Sequence, residues 1–447
     1  VMMGNGAEVL AARQGVARLG AVVVPVSWRL TVPEVVYILA NSGSLALLHT
    51  GGAAVEAAGD AGVAELSLAG NGFPEPQSQP PTTEWLGAPV VTMAYTSGTT
   101  GRPKGIMRAA PAAARDAPAQ PFARFWGFGP RDVHLLCGPA YHTAPGAYAE
   151  MTLVEGGRVV VMERFDAVAC LELIQSERVT TSHMVPANFI RILQAPWQDY
   201  DLTSVVKILH AAAPCPVAVK RKIMEVFPPG AVWEYYGASE GMVSVIGPDE
   251  WMDRPGSVGR AFPGIEIRVM DDGGQERMPG VVGQVYASAF GTPFVYHDDP
   301  DKTAAAWRDG MFTAGDLGYL DADGYLFLSD RRSDLIISGG VNIYPAEVEG
   351  ALLEDPDVVD ACVIGLPDES MGSRVHAILE LAAGAPMDVD ALVRRLRERL
   401  AGFKCPRTVE LVDELPREPN GKVLKRKLIE ERASLARERT PPGDGGL

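Results

Sequence analysis

The sequence predicts an α/β protein: a large N-terminal doubly wound α/β domain with a β-rich subdomain, plus a small mobile α+β C-terminal domain. Three observations carry that expectation. Apolar, β-prone runs alternate with helix-length segments through the first half of the chain. From about residue 259 to 328 the texture becomes β-rich, with closely spaced turns. The polar stretch Asp330-Arg331-Arg332-Ser333-Asp334 then separates this from a second, shorter alternation.

Length and composition bound the reading. The chain has 447 residues, enough for two or three domains and a large core. Hydrophobic residues make up 47% and charged residues 21%, an ordinary globular balance. A net charge of −16 argues against nucleic acid or an anionic membrane as partner, because both select a basic surface. No apolar run spans a bilayer, and no secretory pattern opens the chain. The five cysteines, none in a C-x-x-C pair, read as reduced thiols of a cytoplasmic protein. The seven histidines lack metal-site spacing.

In chain order, residues 1–3 read as the tail of a strand. A helix over 7–19, a strand over 21–26, a helix over 32–40 and a strand over 45–49 follow. Residues 70–87 are a loop, and the run 90–95 reads as a buried strand. Strands are expected at 133–137, 158–162, 180–185, 206–210 and 232–236, with helices at 167–177, 187–194 and 217–227 between them. Such a sheet places its ligand crevice beyond the strand C-termini. The β-rich stretch suggests a small barrel-like subdomain, and 331–334 is the hinge. The C-terminal unit, 335–439, has strands at 335–338, 361–365 and 375–381 and helices at 345–353, 389–400 and 423–439. Residues 440–447 read as a disordered tail.

The chemistry is concentrated in five stretches. Residues 96–105 place three glycines and four hydroxyl side chains within ten residues, with Lys104 near the end. Glycine lets backbone N–H groups converge, hydroxyls add donors, and the lysine adds charge, so the bend suits phosphate oxygens. The lysine spacing differs from G-x-x-x-x-G-K-[ST], which disfavours a P-loop kinase or ATPase. Glu234-Tyr235-Tyr236-Gly237-Ala238-Ser239-Glu240 ends a strand with aromatic, glycine, hydroxyl and carboxylate groups, a set that suits a nucleotide and Mg²⁺. Read alone it is more often a strand end packing a core. Asp316, flanked by Gly315 and Gly318, suits paired ribose hydroxyls or a turn that caps itself. Gly339-Gly340 before Pro345 is a close-approach loop or a plain turn. The turn Pro416-Arg417-Glu418-Pro419-Asn420-Gly421-Lys422 presents a lysine, by default a solvated one.

In this order the five stretches closely resemble the adenylate-forming superfamily of acyl-CoA synthetases, luciferases and nonribosomal peptide adenylation domains. The resemblance covers nearly the whole chain. It implies ATP, Mg²⁺ and coenzyme A as cofactors and a small-molecule carboxylic acid as substrate. Thr96, Ser97, Gly98, Thr99, Thr100, Gly101 and Lys104 would wrap the β- and γ-phosphates. Tyr236, beside Tyr235 and Gly237, would stack on adenine; Ser239 would touch the α-phosphate and Glu240 would hold Mg²⁺. Asp316, helped by Arg331, would bind the ribose. Lys422 would bridge the carboxylate and the α-phosphate. His142 matches an aromatic position beside the acyl pocket, which is expected among His142, Met184, Ala211, Ala212, Ala213, Gly237 and Ala238.

The run from Gly339 to Pro345 looks like the acyl-CoA ligase branch, specifically its fatty-acid-CoA-ligase-like group, with Gly339-Gly340 replacing Lys422 at the site for the second step. The implied reaction adenylates the acid and then transfers the acyl group to coenzyme A. Alternatives are an amine, a carrier-protein thiol or nitrite activation for diazotising an arylamine, and a non-catalytic nucleotide-binding relative. Fatty and aryl acids are equally compatible. Two departures stand out. The family's usual opening segment is not present ahead of Val1, which bears on the first subdomain's edge and on any homodimer surface. Ser333 stands where the hinge usually has Asp or Lys.

Overall fold

The computed structural model describes residues 1–68, 91–96, 103–108, 121–289, 293–331, 333–368, 370–382, 384–385, 388–418 and 421–438. A seven-stranded sheet forms the centre of the large domain. Arg158–Val161, Val133–Leu136, Thr181–Met184, Lys207–His210 and Val232–Ala238 lie side by side in that order and run parallel. The order reverses between Val133–Leu136 and Thr181–Met184, so the crevice of a doubly wound sheet opens at that point. Gly241–Ile246 and Arg260–Ala261 extend the far edge antiparallel.

Strand alternation explains both coats of this sheet. Leu135, Met184 and Ile208 face a core shared with Ala167–Ser176, Pro186–Gln194 and Val217–Val226. Their chain neighbours Leu136 and Leu209 point the other way, into separate cores that also take in Ala149 and Tyr148 of the helix Thr143–Val154.

The N-terminal helices Ala7–Arg18 and Val32–Asn41 and the strand Ala46–His49 form as the sequence suggests. Residues 21–26 form a narrower pairing than expected: Val23 alone bridges Thr92, through bonds to Val91 O and Met93 N. The run expected as one strand over 90–95 is divided. Residues 91–93 pair with this N-terminal layer, whereas Ala94–Thr96 turns into an antiparallel pair with Lys104–Arg108, which in turn pairs with Phe294–Tyr296.

The β-rich stretch is a six-stranded, largely antiparallel sheet. Among the described residues its strand order is open rather than closed into a barrel. The small domain packs Val358–Asp368, Gly372–Leu381 and Thr408–Val412 against the helices Pro345–Leu352, Val389–Arg397 and Lys425–Glu438. Among the described residues, no helix is long and apolar enough to cross a membrane.

Candidate active site

The C-terminal ends of the central strands carry the candidate groups. Tyr236 and Tyr235 are neighbours on Val232–Ala238, so their side chains leave opposite faces. The Tyr236 hydroxyl donates to Asp316 Oδ2 at 2.6 Å. Asp316 is buried and is the ladder partner of Arg331, whose side chain lies outside the described residues. Tyr235, expected beside a nucleotide, instead enters the interior. Its hydroxyl lies 2.8 Å from His183 Nε2, and its ring packs edge-on to Trp126 and Tyr148.

Gly237 is dictated by its own hairpin. A Cβ there would lie 2.7 Å from Gly241 O, across the turn to the returning strand. Beyond it, Ala238, Ser239 and Glu240 are half-buried. Ser239 Oγ lies 3.5 Å from Thr143 Oγ1, at the start of the helix that follows His142. Glu240 Oε1 accepts the Tyr296 hydroxyl at 2.7 Å. Arg108, on the strand that begins with Lys104, donates to the main-chain carbonyls of Ser239 and Glu240. Sequence reasoning missed Tyr296 and Arg108, because both reach Glu240 from strands distant in the chain.

Lys104 sits opposite Thr96 in the ladder. Ser97, Gly98, Thr99, Thr100 and Gly101 lie outside the described residues. The Lys104 ammonium is 5.1 Å from the Tyr296 ring centre. It is pushed down to about 8, by burial first and then by neighbouring Lys302, with Glu240 and Asp299 opposing.

The other bank of the crevice is His142, the residue before the helix Thr143–Val154. Burial, and after it the Lys422 charge, push its imidazole down to about 4. The small domain delivers that lysine at the point where the strand order reverses. Gly421 lies so close to the large domain that a Cβ would be 2.7 Å from Val185 Cγ2 and 3.3 Å from the Ala187 methyl. Its φ of +85° also suits glycine. Arg191 on the same large-domain helix pairs with Glu414 at 2.9 Å.

Of the expected pocket residues, Ala211 is buried, Ala213 half-buried and Ala212 exposed. Ala212 has a φ of +78°, a conformation that costs a non-glycine residue about 1–2 kcal/mol and concentrates at working sites. Met184 does not line the crevice. It is fully buried in the helix-covered core, while its neighbour His183, on the strand's other face, is itself buried against Tyr148, 2.8 Å from the Tyr235 hydroxyl. Gly339 and Gly340 form the tip between Ile336–Ser338 and Val341–Ile343. Gly339 packs on Met371 of the same domain. In the segment expected as a hinge, Ser333 Oγ donates to Asp334 Oδ1 at 3.0 Å, and Asp330 accepts the Ala346 N–H at the start of Pro345–Leu352.

A magnesium ion needs oxygen ligands and takes one or two protein carboxylates, the rest coming from water and substrate phosphate. The Glu240 carboxylate beside the Tyr296 hydroxyl fits that share. Among the described residues there is no cluster of His, Cys, Asp and Glu that would hold a metal by itself.

Comparison with known proteins identifies the family. Residues 1–292 match the family model described as AMP-binding enzyme, and residues 347–422 match the AMP-binding enzyme C-terminal domain. The fatty acid–acyl-carrier-protein ligase ScoC of Streptomyces coeruleorubidus is 35% identical over 93% of this chain and 82% of its own. Feruloyl-CoA synthase of an Amycolatopsis species is 35% identical over 91% of this chain and 83% of its own. Among solved structures, the amide bond synthetase McbA from Marinactinospora thermotolerans superposes with a TM-score of 0.86 at 29% identity. It covers 96% of this chain and 89% of that one.

Proposed function

The chain belongs to the AMP-binding enzyme family and is an AMP-forming ligase, and we propose that it adenylates a carboxylic acid and passes the acyl group to coenzyme A. The observation that carries the reading is the docking of the Gly421-Lys422 turn at the sheet's crevice, against Val185 and Ala187 and beside His142. This brings a cation from the small domain to the strand ends that hold Tyr236, Asp316 and Glu240.

In the first step an oxygen of the acid attacks the α-phosphorus of ATP. A carboxylate–phosphorus bond forms, the bond to the β-phosphate bridging oxygen breaks, and pyrophosphate leaves. Both reactants are anions, so cations where charge accumulates lower the barrier. Lys422 serves the attacking and α-phosphate oxygens, and Lys104 serves the leaving pyrophosphate. His142 stays neutral at working pH, which leaves it fit to line an acid-binding wall. Tyr236 offers its ring to adenine while its hydroxyl orients Asp316 towards the ribose. Ser239 contacts the α-phosphate, and Tyr296 and Arg108 fix the carboxylate and backbone of Glu240. Magnesium held by Glu240 would supply Lewis-acid withdrawal of charge from the phosphates.

In the second step the coenzyme A thiolate attacks the acyl carbon, a carbon–sulfur bond forms and AMP leaves. The small domain turns about residues 331–334 to exchange Lys422 for the Gly339-Gly340 tip. The rings of Tyr148, His183 and Tyr235 pack against one another in the interior, on the side of the sheet where Ala211 is buried. That filling favours a compact acid over a long chain.

The test separates the half-reactions. Lys422→Ala is expected to lower adenylation, read as ATP–pyrophosphate exchange, by roughly 10²–10³-fold. Thioester formation from supplied acyl-adenylate should persist. Equal loss in both would refute the role given to Lys422. A second reading has a different acceptor, a carrier-protein thiol or an amine, and the similarity to ScoC and to McbA favours it. Nitrite activation belongs to the same alternative. AMP release measured with coenzyme A, amines or nitrite, over short, aryl and long-chain acids, separates these.

A further inference from the structure

We propose that Lys302 is a second triphosphate-binding cation, which works with Lys104 to hold the pyrophosphate end of ATP and to take up charge as that group leaves. The proposal rests on the adenylation reading. Nothing in the sequence singles out Lys302, which lies almost two hundred residues from Lys104 (302 against 104).

The fold brings the two lysines together in steps. Lys104–Arg108 and Phe294–Tyr296 are antiparallel neighbours, with Tyr296 opposite Ile106. His297 N donates to Gly105 O at 2.8 Å, which ties the end of the second strand to the start of the first. The chain then turns through Asp298, at a φ of +54°, and Asp299 into the helix Pro300–Ala306. Asp299 caps that helix by accepting the Lys302 N–H at 3.0 Å. The turn returns the Lys302 ammonium to the ring that Lys104 already approaches. Lys302 Nζ is 6.0 Å from the Tyr296 ring centre, and Lys104 Nζ is 5.1 Å from it. The hydroxyl of the same ring is bonded to Glu240.

Two ammonium groups against one ring repel each other, and attraction to the ring contributes only about 0.5–1 kcal/mol apiece at exposed sites. The repulsion shows on Lys104, whose ammonium is lowered by Lys302 as well as by burial. Asp299 Oδ2, 3.8 Å from Lys302 Nζ, offsets part of this. The arrangement is unfavourable by itself and favourable around a polyanion. A pyrophosphate group carries the charge that would engage both lysines.

The experiment compares the unaltered chain with Lys302→Gln and Lys302→Arg. Calorimetry measures binding of inorganic tripolyphosphate, and ATP–pyrophosphate exchange gives KM for ATP and for the acid. Lys302→Gln is expected to weaken tripolyphosphate binding and raise KM for ATP by about tenfold or more, the usual weight of a charge-assisted hydrogen bond. KM for the acid and thioester formation from supplied acyl-adenylate should hold, and Lys302→Arg should restore most of the binding. Unchanged tripolyphosphate affinity in the Gln variant would overturn the proposal. So would a parallel fall in binding, thioester formation and melting temperature. If the unaltered chain binds tripolyphosphate through Lys302 yet exchanges pyrophosphate with no acid, the paired cations are supported and the ligase reading fails.

Discussion

The two banks of the crevice are held in different ways. Tyr236, Asp316 and Glu240 stand on strand ends or the turn between them, within one packed domain. Their partners, Tyr296 and Arg108, come from neighbouring strands. Beneath them Lys220, buried at 0% exposure, pairs with Glu234, and His210 lies 3.6 Å from that carboxylate. Lys422 reaches the same crevice on a turn from another domain. It is held by close contact at Gly421 and by the ion pair Arg191–Glu414, whose side chains are 47% and 71% exposed. Exposed pairs of that kind contribute about 0–1 kcal/mol. On the proposed reading, the nucleotide half is built into one domain, and the carboxylate-activating half is brought to it by the other.

The largest expected effect breaks the fixed bank. Glu234→Ala strands the buried Lys220 charge, and removing one member of a buried pair typically destabilises by about 3–5 kcal/mol. Denaturant melts should show that loss in the large domain's transition. A loss below 1 kcal/mol would mean that the pair does not lock the helix Val217–Val226 to the strand Val232–Ala238.

Acid should act on the same bank. Burial pushes His134 and His183 down to about 3. Their native values lie below the unfolded value near 6.5, so the unfolded chain takes up protons first. Their stabilisation is complete above about pH 6.5 and is lost as pH falls towards 3, each contributing a slope of up to about 1.4 kcal/mol per pH unit. Stability measured across that window should fall at least as steeply as two protons require. A flat profile from pH 6.5 to 4 would contradict neutral burial of these rings.

The delivered bank is more lightly held and should respond more gently. Gly421→Ala combines a φ of +85° with a methyl 2.7 Å from Val185 Cγ2. A left-handed alanine costs about 1–2 kcal/mol, which predicts roughly tenfold slower adenylation. Stability of the large domain and thioester formation from supplied adenylate should hardly change. If thioester formation slows equally, the contact serves the small domain's own fold and not its docking.

Much of this architecture was legible because it follows from local rules. The alternation over 133–236 specifies a parallel sheet through apolar strand runs and intervening helices, and the observed strands fall where those runs do. Five short motifs in a fixed order identify the family without any structure. The errors also have local causes. Tyr235 was expected at the nucleotide with its neighbour Tyr236, and Met184 at the acyl pocket, yet a strand sends successive side chains to opposite faces: Tyr235 enters the aromatic interior and Met184 the helix-covered core. The run 90–95 looked like one strand because its residues are uniformly β-prone, and propensity does not show where a strand changes partner.

By itself, then, the sequence determined the class of sheet, the order of domains and the kind of reaction, since periodicity and short motifs are properties of neighbouring residues. Tertiary structure alone decided that Tyr296 grips Glu240, that Arg108 anchors the turn before it, and that Gly421 presses Lys422 to the crevice. It also decided that Lys302 joins Lys104. These are meetings between segments tens to hundreds of residues apart, fixed by strand pairing and by one domain settling on another, and no local pattern encodes them.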